Sequence, residues 1–500
     1  MSIRTGTARN VSSHSGRGRT VALVVILFAA FMDLMDVTIL NVVLPSIGAD
    51  LGAGPAALEW MLAGYTLALA LGLISGARLG DILGYKRVFI AGMVGFVAAS
   101  ALCGAALSPE MLVGARILQG LFAAVMIPQV LSQIQLMYAP SERGPAMAAF
   151  SALSGIAATL GPILGPVLME WDLAGLGWRL VFFVNVAVGI IAIPAAWLLL
   201  PEARSRRAPR LDLVGVAVSV VGLLLVLCPL ITAAGRPHWP GWAYGSIVAG
   251  IVVLGGFVAH QRRVEAHGGY PLIQMSLLRI RSLTGGLLVQ LLFLIPIMGF
   301  FLVFMQFLQI GLDMSPLRAG LTLLPWSVVV TLFAALSAAV LLPRIGRAAV
   351  QIGLFLTAGG FALLALAAVD ATPHTGWVEL LPGIVVGAAG MGLVVSPIAI
   401  LTLADLGTDQ AGTGSALFNT TTQLGASVGV AAIGTVFFTR VHPTTSPEGA
   451  PLAHTYGAAF ATSLWLGVGL LALAAAASFL LPRHFHAADH DTDTQTPSKV

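Results

Sequence analysis

Residues 31–45 read FMDLMDVTILNVVLP. Two aspartates, Asp33 and Asp36, stand three apart in a run that is apolar but for Thr38 and Asn41. On a helix that spacing puts both carboxylates on one face. A charged side chain at the centre of a bilayer costs roughly 2.5–3.5 kcal/mol even on the lenient insertion scale. Two neighbouring carboxylates also repel. Both effects favour the protonated acid, so the pair is suited to proton exchange inside a membrane. The plainer alternative is that the acids only mark a water-facing stretch of the helix. Asp36 lies deeper and is followed by Thr38 and Asn41, which makes it the stronger coupling residue, with Asp33 beside it as a modulator or at the cavity mouth.

The composition around this stretch supports a membrane setting. The 500 residues are 58% hydrophobic and 9% charged, against roughly 25% charged in soluble domains. Mean hydropathy is +0.94. An all-α polytopic membrane protein follows. Lysine occurs only at Lys86 and Lys499, and neither precedes Ser or Thr. The phosphate-binding loop G-x-x-x-x-G-K-[ST] is therefore missing, which excludes a P-loop ATP-driven pump. Cys103 and Cys228 lie far apart in apolar runs and read as small buried hydrophobes. No metal-ligand spacing stands out.

A span needs about 20 apolar residues. Runs of that kind lie near 21–45, 57–77, 88–107, 111–136, 145–169, 179–200, 212–233, 243–260, 283–309, 318–342, 348–369, 378–403, 411–439 and 456–481. Fourteen spans are expected, with both termini on one side. Placing the termini in the cytoplasm puts twenty of the 25 Lys and Arg inside. Only Arg179, Arg236, Arg318 and Arg440 fall outside, with Arg116 within a span. That asymmetry is the positive-inside pattern. Longer polar stretches at 202–211 and 261–282 divide the spans as 6+2+6. The expected organisation is a cytoplasmic tail (1–20), a six-helix bundle (21–201), two extra helices with linkers (202–282), a second six-helix bundle (283–481) and a cytoplasmic tail (482–500). GARLGDILGYKR (76–87) and LLPRIGR (341–347) echo each other, with Gly84 aligned to Gly346. Repeated halves with a site between them are common in secondary transporters.

Arg116 is the one basic residue well inside a span and needs a partner there, a first-span carboxylate being the obvious one. Asp81 lies among Arg78, Lys86 and Arg87 beside Gly84, a plausible inner-loop gate as well as a topology signal. GIAATLGPILGP (155–166) repeats Gly161/Gly165 and Pro162/Pro166 at i, i+4 after Gly155. Glycines on one face let helices approach closely, and prolines bend a helix. The segment is a packing seam that also serves as a hinge or seal, or a seam alone. A substrate cavity should be mostly apolar with a few polar groups. Tyr65, Gln129, Gln133, Phe304, Gln306, Asn419 and Gln423 are candidates for its lining. Glu59, Asp370, Glu379 and Asp405 lie near span ends and read as interfacial.

Taken together, these pieces resemble the major facilitator superfamily, in particular its 14-span drug:proton antiporter branch, over nearly the whole chain. MDVTILNVVLP (35–45) is similar to that branch's first-span signature, and WMLAGYTLA (60–68) to its second-span pattern. GARLGDILGYKR resembles the superfamily's loop motif, RILQG (116–120) the fourth-span motif, GPILGP (161–166) the antiporter motif, and WRLVFFVNVAVG (178–189) the sixth-span signature. Departures are Ala77 for the loop motif's first glycine, Ile82 and Tyr85 for frequently basic positions, Pro166 for a glycine and Ala187 for a proline. The resemblance implies a major facilitator fold and a non-enzymatic, proton-coupled exporter of drugs, antibiotics or other amphipathic compounds. Arg116 is implied in proton transfer, and the antiporter motif implies export. Export of an endogenous metabolite, solute uptake or a sensing role are the alternatives. No cofactor other than protons is expected. The expected partners are the lipid bilayer of the cell membrane and a lipophilic small molecule, with no nucleic acid, in a monomer.

Overall fold

The computed structural model describes residues 16–138, 143–203, 212–232, 240–269, 271–372, 375–406, 411–441 and 452–483. The described residues form helices joined by short turns, with no strand. In order these are α1 (Gly16–Leu51), α2 (Pro55–Leu83), α3 (Tyr85–Gly104), α4 (Pro109–Met137), α5 (Arg143–Trp171) and α6 (Leu180–Leu199). Next come α7 (Leu213–Thr232) and α8 (Gly241–Ala266). The rest are α9 (Arg281–Gly311), α10 (Pro316–Ile345), α11 (Arg347–Val369), α12 (Trp377–Leu403), α13 (Ala411–Arg440) and α14 (Leu452–Ala477).

Among the described residues, 12 of these helices are long and apolar enough to cross a membrane, against the fourteen spans expected. The other two are α5, some of whose side chains are not described, and α7, whose apolar stretch is the shorter Leu213–Pro229. The helices also outrun their apolar cores. The 36 residues of α1 make a rod about 54 Å long, well beyond a hydrocarbon core of about 30 Å. Hydropathy marks the lipid-level portion only, because the helix continues where its flanks meet water and polar headgroups.

Helices α1–α6 pack among themselves, chiefly as α2 on α4, α3 on α4, α1 on α5 and α3 on α6. Helices α9–α14 do the same, as α11 on α12, α9 on α13, α11 on α14 and α10 on α12. The second group has an aromatic centre. Phe300 stacks on Phe304 (5.0 Å) and Trp326 (4.8 Å), and Phe304 and Phe307 stack on Phe460 at 5.6 and 5.0 Å. The two groups meet where α2 lies along α13 and α5 lies along α10. Helices α7 and α8 pack on each other, and α7 touches both α2 and α13.

The echo between residues 76–87 and 341–347 has a structural counterpart. Gly84 (φ 104°) and Gly346 (φ 54°) both occupy positive φ, which favours a residue lacking Cβ. The residue after each donates its backbone N–H to the segment ending its own group. Tyr85 donates to the Ala203 carbonyl (2.9 Å) and Arg347 to the Arg483 carbonyl (3.1 Å). The same clip thus closes each six-helix group, as expected of a duplicated unit.

Candidate functional site

Asp36 is 2% exposed and Arg116 is 1% exposed, and the two form an ion pair linking α1 to α4. One Asp36 oxygen takes the guanidinium. The other accepts from the Gln119 amide (3.0 Å) and the Asn185 amide (3.1 Å). Arg116 also donates to the Met61 carbonyl (3.1 Å) and to Gln119 Oε1 (2.6 Å), and it lies 4.2 Å over the Tyr65 ring. Ser100 accepts from Asn185 (3.1 Å) and donates to the Phe182 carbonyl (3.0 Å). Five helices, α1, α2, α3, α4 and α6, therefore converge on one polar knot.

The pairing follows from local geometry. Arg116 and Gln119 are three residues apart and share a face of α4. Two charges taken out of water are tolerable only when paired and supplied with further hydrogen bonds. This knot supplies both. It also leaves Arg116 provided for if Asp36 is neutralised, because Met61, Gln119 and the Tyr65 ring remain. Asp33, 7% exposed, accepts a hydrogen bond from the Tyr65 hydroxyl. Tyr65 therefore touches both acids' surroundings, through its hydroxyl and its ring face.

The α1–α5 seam lies one turn further along. A Cβ at Gly165 would come 3.0 Å from Ile39 Cγ2 and 3.2 Å from Val43 Cγ1, and one at Gly161 would run into Thr38. The two glycines thus let α5 press directly on the helix carrying Asp36. Gly155 and Pro162 are on the same helix.

At the α2–α3 turn, Asp81 accepts from the Tyr85 hydroxyl (2.8 Å). The residue that departs from the loop motif is therefore the one that holds its acid. Arg87 pairs with Glu202 (3.6 Å), an exposed pair; Arg78 and Lys86 are half-buried.

The candidate substrate residues are dispersed. Gln129 is fully buried and donates to the Gly76 carbonyl (2.8 Å), holding α4 to α2. Gln133 donates to the Pro201 carbonyl (3.5 Å). Phe304 and Gln306 sit in packed interior, at 0% and 1% exposure. Asn419 is exposed and Gln423 half-buried on α13. A cavity of about 600 Å³ is lined by Leu312, Arg318, Thr322, Pro325 and Trp377, all outside the group that bears Asp36.

Gln119, Asn185 and Ser100 belong to the knot but were not singled out from sequence. Neutral polar residues in a span look like ordinary interhelical contacts. The available signal was position: Gln119 follows Arg116 by three, and Asn185 lies inside the WRLVFFVNVAVG stretch. Glu59 is a correction. Expected at an interface near a span end, it is 0% exposed. Its place along α2 is near the end, but its side chain points sideways into the protein, against Gly434 of α13.

A family model for the Major Facilitator Superfamily matches residues 26–430. The chain is 46% identical over 421 residues to a protein named as a probable actinorhodin transporter of Streptomyces coelicolor, covering 84% of this chain and 72% of that one. It is 34% identical over 465 residues to the puromycin resistance protein pur8 of Streptomyces alboniger, covering 90% of each. Among solved structures, a bacterial homologue of the human lysosomal transporter Spinster, inward-facing and unoccupied, superposes with a TM-score of 0.67 at 17% identity, over 93% of this chain and 97% of that one. This chain, with its all-helical bundle and its buried ion pair between two spans, belongs to the major facilitator superfamily and is a multi-span membrane transporter, not an enzyme.

Proposed function

We propose that the protein exports amphipathic, antibiotic-like small molecules from the cell in exchange for protons, by alternating access. The observation that carries this reading is the buried Asp36–Arg116 pair with its surrounding donors. A proton taken up by Asp36 removes the negative charge that holds the Arg116 guanidinium. That neutralisation loosens the tie between α1 and α4, while Arg116 keeps Met61, Gln119 and Tyr65. Coupling then requires only that proton and substrate favour different arrangements of the two helix groups. Asp33, held by Tyr65, shapes the same site. Asp81 and Tyr85 brace the loop gate with Gly84, and Gly161 and Gly165 form the face on which α1 moves.

In this reading the chain spans the cell membrane fourteen times as 6+2+6, with both termini in the cytoplasm. The Lys and Arg asymmetry supports that orientation, and the repeated Tyr85 and Arg347 clips support two equivalent six-helix units. The substrate is a lipophilic small molecule. The names of the relatives, a probable actinorhodin transporter and a puromycin resistance protein, support that class. The protein works as a monomer with protons as its coupling ion and no other cofactor.

The test is a growth-inhibition panel of antibiotics in an efflux-deficient host. Cells carrying the wild-type gene should tolerate at least one lipophilic antibiotic at several times the concentration that stops cells without it. Cells carrying Asp36→Asn should fall back to the control. Equal sensitivity of all three strains across the panel would contradict drug export.

A further inference from the structure

Glu59 is a buried acid for which the Asp36 site has no use. It lies on α2 with 0% exposure, and neither carboxylate oxygen has a hydrogen-bond partner among the described residues. It faces the other helix group. A Cβ at Gly434 of α13 would sit 2.8 Å from the Glu59 carboxyl carbon, so the glycine is what admits the side chain. Seven residues along each helix, Thr66 and Ser427 share a hydrogen bond of 2.7 Å across the same seam. Since α2 and α13 run antiparallel, the two contacts are layers of one interface, about 10 Å apart.

Charged and titratable groups occur on the elements packed against α2 around this level. They are Asp36 and Asp50 on α1, Cys103 on α3, Glu110 and Arg116 on α4, Cys228 on α7 and Arg440 on α13. Asp50 is held by Trp178 and Arg179, and Arg116 by Asp36. No ion pair among the described residues involves Glu59. An ionised carboxylate without a partner is not stable in such a place. A neutral carboxyl costs far less there.

We propose that Glu59 is a second proton-binding site, set in the seam between the two helix groups: it holds a proton while α2 and α13 are closed at this end, and releases it when they part and water reaches the carboxyl. The link to transport rests on the proton-coupled reading above; the protonation itself does not. A closed seam is then favoured at low pH and opposed as pH rises. Glutamine at position 59 copies the protonated side chain and should keep the seam closed at every pH.

Infrared spectroscopy of the full-length protein in nanodiscs tests this directly. The wild type at pH 7 should show a protonated-carboxyl C=O band that is lost in Glu59→Gln. Gly434→Ala, which crowds the same carboxyl from α13, should shift that band and gives a second route if Glu59→Gln folds poorly. A band unchanged by both substitutions, or loss of an ionised-carboxylate signal in Glu59→Gln, would overturn the proposal. Running Asp36→Asn in parallel separates the two ideas. If Asp36→Asn keeps proton-driven efflux, the coupling reading fails, and the Glu59 band still decides the present one.

Discussion

At Arg116 the energetic stake is the asymmetry between removing one partner and replacing both. Truncating one side of a buried ion pair costs about 3–5 kcal/mol, because the other charge is left bare. Arg116→Ala strands Asp36, whereas Asp36→Asn keeps an oxygen to accept from Gln119 and Asn185. The expected order of thermal stability in detergent is therefore wild type, then Asp36→Asn, then Arg116→Ala as clearly the weakest; equal melting of the two variants would contradict the pairing. Asp36 and Arg116 were legible in the sequence because charge in a span is costly enough to need a reason. Gln119, Asn185 and Ser100 were not, since a neutral amide or hydroxyl in a span carries no such signal. Glu59 was misplaced for a related reason. Distance from a span end says how deep a residue is, and says nothing about the direction in which its side chain points.

At the level of elements, the α1–α5 seam depends on two missing methyl groups. Overpacking a tight contact costs typically 1–3 kcal/mol. Gly161→Ala should lower thermal stability and slow transport, because the added Cβ meets Thr38. Gly114→Ala on α4 has nothing within 4 Å of its new Cβ and should be neutral or stabilise by about 0.5–1 kcal/mol. Indistinguishable melting curves for the two would remove the seam from the account. The α7–α8 pair has its own tie. Asp212 accepts from the Gly215 N–H (2.8 Å) and the Gln261 amide (2.7 Å), and lies 3.2 Å from His260 Nε2. Partial burial works against its charge, but the Gly215 N–H, Gln261 and His260 outweigh it and hold the Asp212 carboxyl below the usual carboxylate range. A lowered folded-state value means stability that is present above the unfolded value of about 3.9 and is lost as pH falls through the folded one. Asp212→Ala should thus cost about 0.5–2 kcal/mol at neutral pH, with the deficit shrinking in acid below about pH 4. A deficit independent of pH would contradict the role of its charge. Helix positions were legible because hydropathy reports lipid depth. Helix lengths were not, because the flanking turns are polar and extend each rod past the bilayer core.

For the whole molecule, the two six-helix groups touch along α2–α13 and α5–α10, and Gln309 of α9 reaches across to the Val42 carbonyl of α1 (2.6 Å). Alternating access requires these contacts to break and re-form during each cycle. Thr66 and Ser427 are close enough for a disulfide between cysteines placed there. Thr66→Cys with Ser427→Cys should cross-link under mild oxidation and stop transport, and reductant should restore it. Full transport in the oxidised protein would mean that this seam does not open. The duplicated turn motif was visible in the sequence as a faint echo of Gly84 in Gly346. Its purpose emerged only in three dimensions, where each turn is clipped to the end of its own helix group.

The central claim is that Asp36 couples proton entry to export. Its most direct measurement is substrate flux into inverted membrane vesicles under an imposed pH gradient, for wild type and Asp36→Asn side by side. Wild-type flux should follow the gradient and collapse with an uncoupler, and the Asp36→Asn flux should not respond to the gradient at all. Gradient-driven transport by Asp36→Asn at the wild-type rate would contradict the claim.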